Sequence, residues 1–158
     1  MFFLPLIFAL ITSCTKDSAS SVPDSTSTLN KTVLLQLVNS ARKKGCSCGG
    51  THYSPAPALT WNDQLEKAAY NHSNDMFQNN YFSHAGSDGT SSGERINRAG
   101  YSWKYYGENI AMGYLTEKEV VDGWLSSPGH CSNIMNKNFK EMGVAKVGNY
   151  WTQEFGSK

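Results

Sequence analysis

The 158-residue sequence has little net charge and no concentrated charge of either sign. Its 14 basic and 13 acidic side chains leave a formal charge of +1, and no block of basic residues is interleaved with aromatic ones. Nucleic-acid binding needs a basic surface that faces the phosphates, so no nucleic-acid partner is expected. The sequence also has no phosphate-binding glycine loop of the dinucleotide-binding type.

No apolar run is long enough to span a membrane, which takes about 18 residues. The uncharged segment 1–10 is typical of the hydrophobic part of a signal peptide, although no Lys or Arg precedes it. It leads into Ile11-Thr12-Ser13-Cys14, which resembles a bacterial lipobox, where cleavage precedes a cysteine that carries a diacylglycerol. We expect residues 1–13 to be a lipoprotein signal peptide and Cys14 to be lipidated. The alternative is simple secretion with an ordinary signal peptide.

Residues 14–28 have few apolar side chains. Eight of the fourteen residues 15–28 are Ser or Thr, and Val22 is the only large apolar one. Such a segment cannot bury enough apolar surface to offset the entropy lost on ordering. It is predicted to be a flexible tether that joins a membrane anchor to a domain at the cell envelope or cell surface.

Cysteine is scarce in residues 29–158. Cys46, Cys48 and Cys131 are the only three, which excludes a structural zinc site made of four cysteines. In an exported protein a disulfide is their usual fate, and an odd number leaves one thiol free. Cys46 and Cys48 are too close in sequence to bridge each other easily, so one of them is expected to bond to Cys131. The closed loop is worth about 4 kcal/mol in the chain-entropy model.

The 130 residues from Leu29 are enough for one domain with a single core. Apolar residues at helical spacing predict one helix from Leu29 to a stop at Gly45, with Thr28 as a candidate cap, and a second over residues 62–79. Between them, residues 49–57 are predicted to be a Gly/Pro-rich loop.

Shorter elements follow in mixed order. Helices are predicted at residues 91–99 and, behind a capping box of Thr116 and Glu119, at residues 120–126, with a stop at Ser127-Pro128-Gly129. Strands are predicted at residues 105–112, 142–147 and 150–155, the last two separated by the turn signal Gly148-Asn149. Helices and antiparallel strands in this order predict an α+β or layered α-β-α domain.

Nine short segments resemble, in order, those of bacterial proteins of the CAP superfamily, which carry an SCP-like extracellular domain. They are Phe82-Ser83-His84, Arg95-Ile96, Ala99-Gly100-Tyr101, Gly107-Glu108-Asn109-Ile110-Ala111, Trp124, Ser127-Pro128-Gly129-His130, Asn133-Ile134-Met135, Met142-Gly143-Val144-Ala145 and Tyr150-Trp151-Thr152-Gln153. Each segment alone is weak, but nine in register are specific. Residues 29–158 are therefore identified as a CAP domain.

The resemblance implies the CAP fold, a three-layer α-β-α sandwich around a central, mainly antiparallel sheet. It implies that Cys48 pairs with Cys131 and that Cys46 is the spare thiol. It also implies a cleft lined by histidine and acidic residues, in which His84 matches the first histidine and Glu108 matches the glutamate of the Gly-Glu-Asn motif.

The cleft departs from the eukaryotic pattern at two positions. Tyr150 stands where those proteins have a second histidine, and Ser126-Ser127 replace an acidic residue after the helix tryptophan. His130, on a tight turn after a helix, is typical of the bacterial branch and is taken to stand in for the missing histidine. His84, Glu108 and His130 are therefore the expected cleft residues and the expected ligands of a divalent cation such as Zn²⁺.

Two other polar groups are interpreted as structural. His72 lies on the apolar stripe of the helix at residues 62–79, so we expect a buried, hydrogen-bonded core residue. Glu94 and Arg95 are interpreted as a structural ion pair or a hydrogen-bonding anchor.

A binding or scaffold protein of the cell envelope is favoured over an enzyme, with a cleft for a divalent cation or a small apolar ligand. The alternative is a hydrolase of envelope peptides or lipids, either metal-assisted or based on His/Glu acid-base chemistry. The CAP superfamily has no single activity, so the resemblance does not decide between the two.

Overall fold

The computed structural model describes residues 29–158, so the predicted signal peptide, Cys14 and the tether lie outside the described residues. The helices in this part are α1 (Lys31–Lys44), α2 (Asp63–Asn79), α3 (Ser92–Arg98), α4 (Glu117–Ser126) and α5 (Pro128–Met135). The strands are β1 (Cys46–Cys48), β2 (Thr51–Tyr53), β3 (Thr60–Trp61), β4 (Tyr105–Met112), β5 (Glu141–Val147) and β6 (Tyr150–Ser157). Each helix of residues 29–158 is too short or too polar to cross a bilayer.

Four strands form the central sheet in the order β3-β5-β6-β4. β6 pairs antiparallel with both β5 and β4, and the short β3 pairs in parallel with β5. α2 packs on one face of the sheet together with α3, whereas α1, α4 and α5 pack on the other. The predicted three-layer α-β-α sandwich with a mainly antiparallel sheet is confirmed.

Side chains alternate between the two faces along each strand. Val144, Trp151 and Phe155 belong to the apolar core that α1, α4 and α5 complete. On the opposite face, Gly143 lies so close to the backbone of α2 that an added Cβ would come within 2.1 Å of the amide nitrogen of Glu66. The absent side chain therefore lets α2 lie directly on β5.

Side-chain caps determine where the helices begin. Asn30 caps α1 by accepting a hydrogen bond from the Val33 amide over 3.1 Å, so α1 begins at Lys31 rather than at Leu29. The proposed cap Thr28 is outside the described residues; Asn is at least as good a cap as Thr. Capping boxes begin α3 and α4, and the one at α4 uses Thr116 and Glu119 as predicted.

Two segments differ from the sequence prediction. The predicted Gly/Pro-rich loop, residues 49–57, contains the strand β2, which forms a hairpin with β1. The hairpin turns at Gly49 and Gly50, with φ of +57° and +94°. α4 ends at Ser126 as predicted, but a new helix, α5, begins directly afterwards at Pro128. Proline is favourable at the first position of a helix, where its φ is already helical and its missing N–H has no partner to lose. His130 therefore lies on a helix and not on a tight turn.

Candidate functional site

Strand β4 carries the Gly-Glu-Asn motif along an edge of the sheet. Consecutive residues point to opposite faces, so Glu108 faces α2 and α3 while Asn109 faces α5. The amide of Asn109 donates to Gln153 Oε1 over 3.0 Å and to the carbonyl of His130 over 3.2 Å. The motif thus places one polar side chain on each face of the sheet, at adjacent positions of β4.

Glu108 is buried, and its carboxylate accepts hydrogen bonds from two basic side chains. His84 Nδ1 donates to Oε1 over 2.6 Å, and Arg95 Nη2 donates to Oε2 over 2.5 Å. Burial alone would raise the pKa of Glu108, but the hydrogen bond from His84 and the charge of Arg95 outweigh it and hold this pKa below its ordinary value. His84 and Glu108 are therefore brought together.

The expected pairing of Glu94 with Arg95 is wrong as an ion pair. Adjacent residues on a helix do not face each other, and the two side chains have separate partners. Glu94 accepts from Ser91 in the capping box of α3, whereas Arg95 is a hydrogen-bonding anchor that binds Glu108 and, over 2.9 Å, the carbonyl of Thr90.

A second carboxyl group, Glu154, is not among the residues that the sequence predicts for the cleft. The register of β4 and β6 places it directly opposite Glu108, and it is fully buried. Burial and the adjacent charge of Glu108 raise the pKa of Glu154 well above its ordinary value, which favours the protonated form. The alternation and pairing of the predicted strands were the signal that could have found it.

The imidazole of His84 is open to solvent on its outer side. Its side chain is 59% exposed, and Nδ1 is engaged by Glu108, so Nε2 is available to a ligand. The hydrogen bond to Glu108 is the main cause that raises the pKa of His84.

His72 helps to position the loop that carries His84. Its Nε2 donates to the carbonyl of Ser83 over 2.9 Å, and the side chain is fully buried in α2. Burial lowers the pKa of His72, which keeps the ring neutral. The interpretation of His72 as a hydrogen-bonded core residue is confirmed.

His130 lies on α5, on the other side of β4 from the Glu108 carboxylate. Asn133 of the same helix donates to Asn109 Oδ1 over 2.9 Å and to the carbonyl of Glu108 over 3.0 Å, which ties α5 to the motif. Burial, and next the charge of His84, lower the pKa of His130.

The donor set offered to a cation is smaller than the sequence implies. Within residues 29–158, the only histidine, cysteine or acidic triple whose ligand atoms all lie within 4.8 Å of one another is Cys46, Cys48 and Cys131. The Glu108 carboxylate faces the protein interior, toward Arg95 and Glu154, and contacts His84 from the buried side. It is therefore a partner of His84 and not a direct ligand. Two imidazoles, His84 and His130, remain as candidate direct ligands.

Two pockets border the histidines. One of about 380 Å³ is lined by His84, Glu108, Tyr106 and the residues 89–92. The other, of about 310 Å³, has largely apolar walls and ends at His130. Its main lining residues are Phe82, Ile110, Met112, Tyr114 and Trp124.

Residues 89–93 are Gly-Thr-Ser-Ser-Gly, which has the spacing of a serine-hydrolase nucleophile motif. The hydroxyl of Ser91 instead bonds to Glu94 over 2.7 Å, and that of Ser92 bonds to Glu154 over 2.8 Å. No hydrogen bond joins either hydroxyl to His84 in the described structure, so a nucleophile paired with its base is not present there.

Cys48 and Cys131 form a disulfide, the pairing that the resemblance implies, and Cys46 is free. The bond joins the hairpin of β1 and β2 to α5. It thereby supports the helix that carries His130.

Known proteins share both sequence and fold with this chain. The curated protein YkwD of Bacillus subtilis (strain 168) is 37% identical over 144 residues, which cover 90% of this chain and 52% of that protein. An extracellular protein containing a SCP domain from Bacillus anthracis str. Ames is 32% identical with a TM-score of 0.72, over 80% of this chain and 40% of that one. The chain thus spans about half the length of these relatives or less.

An outer surface protein of Borrelia burgdorferi shares the fold at a TM-score of 0.68 and 23% identity, over 80% of this chain and 91% of that one. The model of the cysteine-rich secretory protein family, CAP, matches residues 35–155. This match covers most of the chain and includes Cys48, His84, Glu108 and Cys131. The chain belongs to the CAP family.

Proposed function

We propose that the domain acts outside the cell as a binding module of the cell envelope, and that its cleft binds a divalent cation such as Zn²⁺ through His84 and His130. The location is supported by the extracellular relative from Bacillus anthracis. The predicted signal peptide would direct export, and the predicted lipid on Cys14 would keep the domain at the membrane surface.

The observation that carries the cation site is the hydrogen bond of 2.6 Å between His84 Nδ1 and Glu108 Oε1. Metal-binding histidines usually donate their second ring nitrogen to a carboxylate, which fixes the tautomer and turns the other nitrogen outward. Glu108 does this for His84, and Arg95 holds Glu108 in turn. The exposed Nε2 of His84 is thus oriented before any ligand arrives.

The site would be weak and open. Two imidazoles supply fewer protein ligands than the three or four of strong zinc sites, so coordination positions remain for water or for a ligand from solution. The apolar pocket beside His130 offers room for the apolar part of such a ligand. The cleft therefore suits a small ligand that has one coordinating group and one apolar group.

The second candidate is a hydrolase in which His84 and Glu108 act as an acid-base pair. Their hydrogen bond is the observation in its favour, because a carboxylate that orients an imidazole is a common feature of general bases. Against it, the serines that line the pocket bind Glu94 and Glu154 instead of His84. A hydrolase would have to activate water.

Calorimetric zinc titration of the purified full chain tests the proposal. We expect one weak site whose affinity falls at least about tenfold in His84→Ala. His52→Ala is the matched control, because His52 is exposed on the β1–β2 hairpin, and it should bind zinc as the wild type does. Affinity should also fall from pH 7.5 to 5.5, because neutral imidazole is the ligand and the pKa of His84 is raised.

Equal zinc affinity in the wild type and His84→Ala would contradict the cation site. Peptide and ester substrates added to the same samples separate the two candidates. Zinc binding without turnover supports the binding module, whereas turnover that disappears in both His84→Ala and Glu108→Gln would establish the hydrolase.

A further inference from the structure

We propose that Cys46, Cys48 and Cys131 form a thiol–disulfide exchange site, in which the bridge to Cys131 moves between Cys48 and Cys46. This site is separate from the histidine cleft. It assigns a reaction to Cys46, the one cysteine of residues 29–158 that is outside the disulfide.

The free thiol touches the disulfide. Cys46 Sγ lies 3.3 Å from Cys131 Sγ, and the three sulfur atoms all lie within 4.8 Å of one another. Cys46 and Cys48 are two residues apart in β1, and such residues point to the same side of a strand. β1 packs on α5, which carries Cys131. The sulfur atoms of Cys46 and Cys48 therefore both face the sulfur atom of Cys131.

The exchange needs no oxidant or reductant. Cys46 loses its proton to solvent, and its thiolate attacks Sγ of Cys131, forming the Cys46–Cys131 bond. The bond between Cys48 and Cys131 breaks, and its electron pair remains on Cys48 Sγ, which takes up a proton. One disulfide and one thiol exist before and after the step, as in any thiol–disulfide exchange.

The two bridges close loops of nearly the same length. The sequence separation is 83 residues for Cys48–Cys131 and 85 for Cys46–Cys131, so the chain entropy of the two forms is nearly equal. Their thiols differ in exposure, because Cys46 is partly exposed whereas Cys48 is 4% exposed. Exchange would therefore move the free thiol from the surface into the core.

Mapping of the bridge in the full chain tests the proposal, in a Cys14→Ser background that removes the cysteine outside the described residues. Samples are held at pH 8 and then acidified, which stops exchange because the thiolate is the reactive form. Pepsin digestion at low pH and fragment-ion mass spectrometry then locate the bridge. We expect both bridges in the wild type, the Cys46–Cys131 form in at least about one tenth of the molecules, given the similar loop entropies.

Two variants sharpen the result. Cys48→Ser should oxidise to a Cys46–Cys131 bridge, and Cys46→Ser, the matched control, should contain only the Cys48–Cys131 bridge. A thiol assay should then find no free thiol in either variant. Two free thiols in folded Cys48→Ser would overturn the proposal. So would a wild type with only the Cys48–Cys131 bridge at every time point, and this second readout does not depend on the folding of any variant.

Discussion

Glu108 and Glu154 are paired residues of neighbouring strands, and both carboxyl groups are buried. Two adjacent buried negative charges would repel each other strongly, so one group is expected to keep its proton. His84 and Arg95 both donate to Glu108, whereas Glu154 Oε1 has no donor beside it in the described structure. The charge therefore belongs on Glu108 and the proton on Glu154.

Glu154→Gln tests this assignment. Between the ordinary pKa of glutamate and the raised pKa of Glu154, the folded protein holds a proton that the unfolded chain releases. The free energy of unfolding then falls by up to about 1.4 kcal/mol for each pH unit of increase. Glutamine can donate to Glu108 and accept from Ser92, as protonated Glu154 does, without this loss. Urea unfolding should show the variant gaining at least about 1 kcal/mol over the wild type from pH 5 to pH 8.

Glu154→Ala is the matched control for that experiment. It removes the same titration and also both hydrogen bonds, so its stability curve should run parallel to that of Glu154→Gln and lie about 2 kcal/mol lower. The histidine titrations are shared by all three proteins and cancel in the comparison. A constant difference between Glu154→Gln and the wild type from pH 5 to pH 8 would mean that Glu154 is ionised in the folded protein.

At the scale of elements, features with a local signal were predictable and features that depend on packing were not. The strand at residues 105–112 and the hairpin at Gly148 follow from alternation and turn chemistry over a few residues. α5 was missed because Ser127-Pro128-Gly129 looks locally like a stop, although Pro128 begins the helix. Whether a proline ends one helix or begins another depends on the residues after it and on the packing of the whole segment.

The same distinction between local sequence patterns and packing applies to the candidate site. His84 and Glu108 were expected together only because a family resemblance supplied the contact, since they are 24 residues apart. Glu154 and Arg95 reach Glu108 through strand register and through the packing of α3 on β4. Neither relation is a pattern of neighbouring residues: Glu154 could be found only by pairing the predicted strands in register, and the contact of Arg95 only from the packing of α3.

Arg42 shows how one buried side chain organises several elements. Its guanidinium lies in α1 and donates to the carbonyls of Pro57, Ile134, Asn136 and Phe139, over 2.7 to 3.4 Å. Burial lowers the pKa of Arg42 to about 10, so the group is still charged at neutral pH. These bonds hold the end of α5 and the segment that leads into β5.

Arg42→Met should destabilise the domain by at least about 3 kcal/mol in urea unfolding, because it leaves several buried carbonyl groups without a donor. Trypsin should then cleave faster after Lys137 and Lys140, which lie in the segment that Arg42 holds. Arg98→Met is the control: Arg98 pairs with Asp88 at the surface, and loss of such a pair should cost less than about 1 kcal/mol. Similar losses in the two variants would contradict the anchoring role of Arg42.

For the molecule as a whole, the histidine cleft and the exchange site meet at α5. His130 and Cys131 are consecutive residues of this helix, and the disulfide ties the helix to β1. A change of the bridge from Cys48 to Cys46 would therefore act on the same helix that supports the cleft. The predicted lipid on Cys14 would hold both sites at the outer face of a membrane.

The lipid anchor is testable in a bacterial host that matures lipoproteins. The full chain should incorporate an alkyne-labelled fatty acid and sediment with membranes, because two or three acyl chains bind a bilayer stably and residues 29–158 contain no helix able to span one. Cys14→Ala should incorporate no label and appear in the aqueous fraction. Cys46→Ala, which removes the cysteine left free by the disulfide, should be labelled and sediment as the wild type does. A wild type without label would exclude lipidation of Cys14 and leave simple secretion as the explanation of the apolar segment 1–10. Full membrane retention of Cys14→Ala would mean that a lipid on Cys14 is not what anchors the protein.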